Sequence, residues 1–281
     1  FDLIMDLRAN PQMPMSQTPQ GYFAPGQDPF KQSLVANQLL GLVGEFEKPK
    51  YFAYNEKVCA HGRNGKVGCN ACIDVCSTGA ISSLFKNGQG TVEVNPNLCM
   101  GCGACSTVCP SGAMRYNYPS VPHQGKEIKT LATVFTAHSA KAKQSSSPTL
   151  LLHTLKAGTQ VLDSLGRSAH LRPKQFEGLP CFVLPYGIEH IASTGLDLWL
   201  GALSYGFGEV VLLLTGDEDP SYRAALETQI DLGNAILAAY GFDARLSQIQ
   251  LESTSDLQAA SQAMGKLRQR GALSAICSPA I

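Results

Sequence analysis

The sequence has no apolar run of the roughly 18 residues that a membrane-spanning helix requires. Its longest apolar stretches, such as Val210–Leu214, have the length of a buried strand. Charge is also scarce: charged residues make up 16% of the chain, and 22 Lys and Arg balance 22 Asp and Glu. No excess of one sign therefore points to nucleic acid, a membrane surface or a disordered tail. We expect an ordinary globular protein, located in the cytoplasm.

Motifs for nucleotide binding and for hydrolysis are missing as well. No G-x-G-x-x-G follows a predicted strand, and neither G-x-x-x-x-G-K-[ST] nor G-x-S-x-G occurs. A nucleotide site is therefore not indicated, and the sequence leaves open whether the chain is an enzyme. The chain begins at Phe1 rather than Met, from which we expect a processed or excised segment.

With 281 residues, the chain is long enough for two domains. Residues 1–50 are rich in Pro, Gln, Gly and Met and predict an extended N-terminal arm with one possible helix, Lys31–Val43. We predict a cysteine-rich domain at residues 51–118 and a helical connector and linker at residues 119–148, with its helix at Lys126–Ala140. Residues 149–281 are predicted to form a second domain.

In this second domain, short apolar strands alternate with longer amphipathic helices. The strands are predicted at Leu150–His153, Cys181–Pro185, Val210–Thr215 and Leu246–Leu251. The helices are predicted at Thr159–Ser168, Leu196–Tyr205, Pro220–Tyr240 and Asp256–Arg268, the last capped by Ser255. Four such units imply an α/β domain of the Rossmann or flavodoxin-like kind, with helices on both faces of a parallel sheet.

Ten cysteines are present, and eight of them lie between Cys59 and Cys109. A shift of 33 residues superposes Cys69, Cys72 and Cys76 on Cys102, Cys105 and Cys109, so the unit is duplicated. Dense cysteines form disulfide frameworks in small secreted proteins, whereas these occupy one stretch of a chain whose other half can build its own core. Metal binding is the better interpretation.

The second copy has the spacing C-x2-C-x2-C-x3-C-P over Cys99–Pro110. It resembles the two-cluster bacterial ferredoxins, in which the fourth cysteine binds the other cluster. Three thiolates on a tight loop can hold one face of a cubane, and the fourth, expected at the start of the following helix, points to the opposite side. Small residues such as Gly101, Gly103 and Ala104 keep the loop compact. The resemblance implies an α+β ferredoxin-like domain with two 4Fe-4S clusters.

The resemblance also implies two sets of ligands, carried over position by position. The first cluster would be bound by Cys59, Cys69, Cys72 and Cys109. The second cluster would be bound by Cys76, Cys99, Cys102 and Cys105. The first copy departs from the family pattern, because nine residues separate Cys59 from Cys69 and Ser77 replaces the proline after the fourth cysteine.

The residues inserted after Cys59 predict a protruding, Gly-rich flap within 61–68. His61, Arg63 and Lys66 make this flap basic. It is either a solvated loop or a docking patch for an acidic partner, whose association charge complementarity would accelerate. Between the two copies, residues 80–83 and 91–94 are predicted to pair as a hairpin around the turn Lys86–Gly90.

Two alternatives to redox-active clusters stay open. Eight cysteines could hold zinc in two four-thiolate sites, although C-x2-C-x2-C crowds three thiolates more closely than usual zinc pairs do. The clusters could also be present but only structural. The remaining cysteines, Cys181 in a predicted buried strand and Cys277 in the tail, are predicted to be inert packing.

Polar residues also follow the predicted strands of the second domain. His153, Lys156, His190 and Asp217–Asp219 could line a crevice at the carboxyl ends of the strands, where open α/β sheets bind ligands. The acidic run is more typical of a solvated loop that opens the next helix.

Residues 149–270 are similar to the delta subunit of methyl-viologen-reducing hydrogenase. The likeness rests on strand–helix order and on the segments Cys181–Pro185, Gly195–Leu198 and Val210–Gly216. Together with the ferredoxin-like domain, it implies an electron-transfer function through the two clusters, with the chain as a subunit or docking module of a larger oxidoreductase and with formate dehydrogenase, hydrogenase or disulfide reductase systems as partners. Alternatively, the α/β domain binds a flavin or substrate as a redox enzyme, or acts as a scaffold or maturation factor.

Overall fold

The computed structural model describes residues 2–13, 18–45, 47–61, 68–86, 89–141 and 147–273. The elements of the N-terminal half are β1 Ile4–Met5, β2 Tyr22–Phe23, α1 Pro29–Leu40, β3 Phe52–Tyr54, α2 Ala71–Asp74, β4 Ile81–Lys86, β5 Gln89–Val94, α3 Ala104–Thr107 and β6 Met114–Tyr116. Those of the C-terminal half are α4 Val121–Lys141, β7 Thr149–Thr154, α5 Ala157–Leu171, β8 Val183–Ile188, α6 Leu196–Ser204, β9 Glu209–Leu214, α7 Pro220–Ala239, β10 Leu246–Gln250 and α8 Leu257–Lys266.

The N-terminal arm is held together by one buried carboxylate. Asp6 accepts a hydrogen bond from the Tyr22 hydroxyl at 2.5 Å and a bidentate pair from the Arg8 guanidinium, and these donors hold the Asp6 pKa well below its usual range. Helix α1 begins where the Asp28 side chain accepts backbone N–H groups. None of its residues is buried, so Asp6 rather than α1 organises the arm.

Two small antiparallel pairings build the cysteine-rich domain. Strand β3 pairs with β6 and thereby joins the beginning of this domain to its end. Strands β4 and β5 form a hairpin. The pairing is longer than the predicted residues 80–83 and 91–94, and residues 87–88 at its turn lie outside the described residues. The cysteine loops precede β4 and β6.

A parallel sheet of four strands forms the second domain, as the alternating pattern predicts. The spatial order is β10-β9-β7-β8, and every pairing is parallel. Strand β7 lies between β8 and β9, so the chain runs outward from β7 in both directions. In sheets wound this way, a crevice opens beyond the carboxyl ends of the strands where the direction reverses.

The sheet separates two apolar layers. Leu150 and Leu152 of β7 face one layer, which contains Trp199 of α6, and Leu151 faces the other. All three leucines are fully buried, and each such burial contributes about 1.5–3 kcal/mol. Helix α4 places Ile128 in the first layer. The predicted connector helix therefore packs onto the sheet as part of its core.

Two details of the predicted second domain are wrong. Strand β8 begins at Val183, because the Val183 N–H donates to the Pro180 carbonyl and closes a turn there. Cys181 consequently precedes the strand and is exposed, so it is not buried packing. Helix α8 is capped by Asp256, whose carboxylate accepts the Ala259 N–H, and not by Ser255.

Among the described residues, every helix is too short or too polar to cross a bilayer.

Candidate functional site

Two short loops, each ending in a single helical turn, carry most of the clustered cysteines. Cys72 lies in α2 and Cys105 in α3. Cys76 and Cys109 follow two residues after the last residue of these helices. The predicted position of the fourth cysteine at the start of a helix is therefore wrong, since each fourth cysteine comes after a helical turn that its own loop has already formed.

The second loop is compact because two of its glycines have left-handed backbone angles. Gly101 has φ +75° and Gly103 has φ +78°. A Cβ atom at Gly101 would lie 2.6 Å from the ring of Tyr51. Glycine is thus required here both by the backbone conformation and by the close approach of an aromatic side chain.

Four cysteines of the predicted second set line one cavity. The cysteines that line this cavity are Cys76, Cys99, Cys102 and Cys105. Three of them come from the second copy and one, Cys76, comes from the first. The fold therefore brings the last cysteine of the first copy to the loop of the second.

The other four cysteines influence one another electrostatically. Burial, followed by the neighbouring thiols of Cys109, Cys59 and Cys69, raises the pKa of Cys72 to about 11. Cys109, the last cysteine of the second copy, thus acts on a cysteine of the first copy. Each predicted set, called a group below, therefore has its cysteine from the other copy nearby: Cys76 lines the cavity of the second group, and Cys109 acts on Cys72 of the first group.

Hydrogen-bond donors surround the sulfur atoms. The Met114 N–H donates to the Cys109 sulfur at 3.4 Å. Burial opposes ionisation of Cys109, but N–H groups of Met114, Ser111 and Ala113 and the Ser111 hydroxyl outweigh it, so the pKa of this thiol lies below its usual value. Such donors stabilise negative charge on sulfur.

Two tyrosines add hydroxyl groups, one to each group of cysteines. The Tyr54 hydroxyl contacts the Thr91 hydroxyl at 3.1 Å and interacts electrostatically with Cys59. Cys102 packs against the buried cluster that contains Tyr222, and the two side chains interact electrostatically. Burial and the neighbouring Cys102 raise the pKa of Tyr222, so its hydroxyl keeps its proton at neutral pH.

Neither tyrosine was singled out by the sequence. Tyr54 belongs to the aromatic strand before Cys59, and this closeness in the chain is the signal that could have identified it. Tyr222 lies in the first turn of α7, 145 residues from its partner Ser77. No local pattern connects such distant positions.

No set of three or more His, Cys, Asp or Glu within the described ranges is placed to hold a single metal ion. An iron–sulfur cubane is wider than one ion and uses four thiolates around several irons. The donor set here is entirely thiol, the ligand type that iron–sulfur clusters require, and one set surrounds a cavity. The residues therefore fit a cluster.

The structure describes only part of the predicted flap. Arg63 and Lys66 lie outside the described residues. His61 is not a surface group of a basic patch, because it is 1% exposed. Its ring nitrogens bond to the Cys69 carbonyl at 2.8 Å and to the Ser83 hydroxyl at 2.7 Å. His61 therefore ties the base of the insertion to the hairpin.

The acidic run after β9 is structural rather than a solvated loop. Glu218 is 4% exposed, and its carboxylate accepts the N–H groups of Thr215 and Gly216. Asp219 caps α7 by accepting the Ser221 N–H at 2.9 Å. Only Asp217 of this run is exposed. Most of these carboxylates thus shape the turn between β9 and α7.

The predicted crevice residues His153 and His190 lie at the same edge of the sheet. Burial lowers the pKa of both rings. Glu189 and Glu218 oppose this effect at His190, whereas Lys156 reinforces it. The structure thus brings His190, Lys156 and Glu218 within electrostatic reach, but it assigns them no ligand.

A family model described as a 4Fe-4S dicluster domain matches residues 67–113. The match includes seven of the eight clustered cysteines and omits Cys59. No curated protein sequence matches the chain significantly. Together, the match and the two cysteine groups identify a ferredoxin-like iron–sulfur domain of the 4Fe-4S type within this chain.

Proposed function

We propose that this chain is an electron carrier that binds two 4Fe-4S clusters and passes single electrons between redox partners. The first would be held by Cys59, Cys69, Cys72 and Cys109. The second would be held by Cys76, Cys99, Cys102 and Cys105. The observation that carries the proposal is the cavity in which Cys76 joins three cysteines of the other copy. Bound there, such clusters supply one-electron transfer at potentials set by their surroundings.

The protein's own contribution is to bury the ligands and to direct donors at them. Ile81, Val92 and Met114 pack around Cys72 in a small apolar core, which keeps water from that thiol. The Met114 N–H and the Tyr54 hydroxyl approach sulfur atoms of the first group. Since donors favour added negative charge and burial disfavours it, these residues together would set the reduction potential.

We assign to the α/β domain a docking function within a larger cytoplasmic redox complex. Its strand order, with β7 between β8 and β9, is that of flavodoxin-like sheets, in line with the resemblance to the hydrogenase delta subunit. Formate dehydrogenase, hydrogenase and disulfide reductase systems are the partners we propose. Cys181 is exposed and precedes β8, so we assign no cluster to this half.

Metal and sulfide content test the proposal directly. Chain purified without oxygen should contain about eight iron and about eight acid-labile sulfide, and dithionite should produce paramagnetic signals from two clusters. Zinc in place of iron, or clusters that dithionite does not reduce, would contradict an electron carrier. The visible spectrum should show the broad sulfur-to-iron absorption alone, because flavin bands would favour the enzyme alternative.

Cluster assembly should weaken as the pH falls. Burial raises the pKa of Cys72 to about 11 and that of Cys105 well above its usual value, so both thiols are protonated in the apo chain at neutral pH. Ligation releases these protons, and lowering the pH by one unit should disfavour assembly about tenfold for each proton released. Iron retained after reconstitution at pH 6.5, 7.5 and 8.5 measures the effect. Equal retention at all three would contradict it.

A further inference from the structure

The α/β domain packs directly against the loop that carries the second group of cysteines. Tyr222 and Ala192 of the α/β domain are buried together with Val75 and Ala104 of the cysteine-rich domain, and Cys102 packs against them. The Thr107 hydroxyl donates to the Ala192 carbonyl at 2.7 Å. The second group therefore has part of its surroundings supplied by another domain.

Tyr222 is the polar group within this contact. Its side chain is 1% exposed, its hydroxyl lies 2.5 Å from the Ser77 hydroxyl, and Cys102 packs against the buried cluster to which Tyr222 belongs. Ser77 occupies the position that holds Pro110 in the second copy. A proline there would have no hydroxyl to contact Tyr222.

The chemistry of the partners fixes the direction of these hydrogen bonds. A thiolate that binds iron has no proton, so the tyrosine hydroxyl is the only possible donor between Tyr222 and Cys102. Once this proton is committed, the contact at 2.5 Å requires the Ser77 hydroxyl to donate to the Tyr222 oxygen. With a cluster bound, a hydrogen bond from Tyr222 to Cys102 would complete a chain of two hydrogen bonds that ends on the cysteine sulfur.

We propose that Tyr222, supported by Ser77, donates a hydrogen bond to the Cys102 thiolate and raises the reduction potential of the second cluster. The α/β domain would then tune one cluster and leave the other to Tyr54. This inference rests on the proposed function, since it requires a bound cluster. Its physical basis is that reduction adds negative charge, which hydrogen bonds to the ligand sulfurs stabilise.

The test is the midpoint potential of each cluster in Tyr222→Phe, titrated with dithionite and followed by electron paramagnetic resonance. The change removes one hydroxyl and retains the buried ring. We expect one of the two midpoint potentials to fall by up to about 59 mV, which is a tenfold change in the equilibrium constant of a one-electron reduction. Ser77→Ala should lower the same potential by less, because Tyr222 keeps its own proton to donate.

Two matched Tyr→Phe variants locate the effect. Tyr54→Phe should lower the potential of the other cluster, since its hydroxyl approaches Cys59. Tyr186→Phe should change neither potential, because the Tyr186 hydroxyl donates to Glu127. These controls distinguish a hydrogen bond at one sulfur from a general effect of losing a hydroxyl.

The outcomes separate the two proposals. If wild type and Tyr222→Phe both hold about eight iron and their potentials agree, the inference is overturned and the electron carrier stands. If Tyr222→Phe loses iron, Ser77→Ala decides: a lower potential supports the inference, and an unchanged one overturns it. If the wild type itself binds no iron, both proposals fail.

Discussion

Replacing Cys76 by alanine should remove the second cluster and spare the first, although Cys76 belongs to the first cysteine copy. Cys76 lines the cavity together with three cysteines of the second copy. Without its thiolate, that site retains three ligands and an uncovered iron, so we expect iron to fall from about eight to about four per chain. Iron analysis and electron paramagnetic resonance of the reduced protein measure the loss.

The identity of the surviving cluster tests the reciprocal arrangement. In the double variant Cys76→Ala/Tyr54→Phe, the remaining potential should be lower than in Cys76→Ala alone, because Tyr54 approaches Cys59 of the first group. Cys109→Ala should remove the first cluster and leave the second, whose potential should respond to Tyr222→Phe. If each copy held its own cluster, the cluster left in Cys76→Ala would respond to Tyr222→Phe, and the cluster left in Cys109→Ala would respond to Tyr54→Phe.

Cys181→Ala is the matched control for these losses. Cys181 is a free, exposed cysteine in the α/β domain. Its replacement should leave about eight iron and both signals in place. A loss of iron in this variant would show that cysteine replacement destabilises the chain in general.

The spacing of the cysteines predicted an iron–sulfur domain of the 4Fe-4S type, because ligand spacing is a local property of the chain. Alternation of apolar strands and helices predicted the parallel sheet for a similar reason: β7 contains the apolar run Leu150–Leu152 and β9 the run Val210–Leu214, as expected of strands covered on both faces. Both predictions depend on patterns that are complete within a few tens of residues.

Contacts between distant segments could not be predicted in this way. The hydrogen bond between Ser77 and Tyr222 joins residues 145 positions apart. In the sequence, Ser77 stands out only because it replaces the proline of the family pattern. His61 shows the same limit from the opposite side. A histidine in a Gly-rich insertion is typical of an exposed basic loop, yet the His61 ring is buried and bonds to the Cys69 carbonyl and to Ser83 of the hairpin.

Gly103→Ala should be the most destabilising single change at the contact between the two domains. Gly103 has φ +78°, and a Cβ there would lie 2.5 Å from the Ser193 Cα. The backbone strain of about 1–2 kcal/mol adds to an overpacking cost of about 1–3 kcal/mol. We therefore expect a loss of about 2–5 kcal/mol in the free energy of unfolding, measured in urea.

Gly112→Ala is the matched control for this change. Gly112 also has a positive φ, +63°, but the nearest atom to its added Cβ would be Arg115 Nη2 at 3.9 Å. It should show the strain alone, about 1–2 kcal/mol. Equal losses in both variants would mean that Ser193 does not press on the second loop.

Gly103→Ala also tests whether packing at the domain contact affects the redox chemistry. The single tryptophan, Trp199, lies buried in the α/β core, so its fluorescence follows that domain while visible absorption follows the clusters. If the methyl group of Gly103→Ala pushes Ser193 away, Tyr222 should withdraw from Cys102 along with it. In folded, fully loaded Gly103→Ala protein, the potential of the second cluster should then fall in the direction expected for Tyr222→Phe. An unchanged potential in a destabilised variant would mean that the domain contact supports stability without reaching the sulfur.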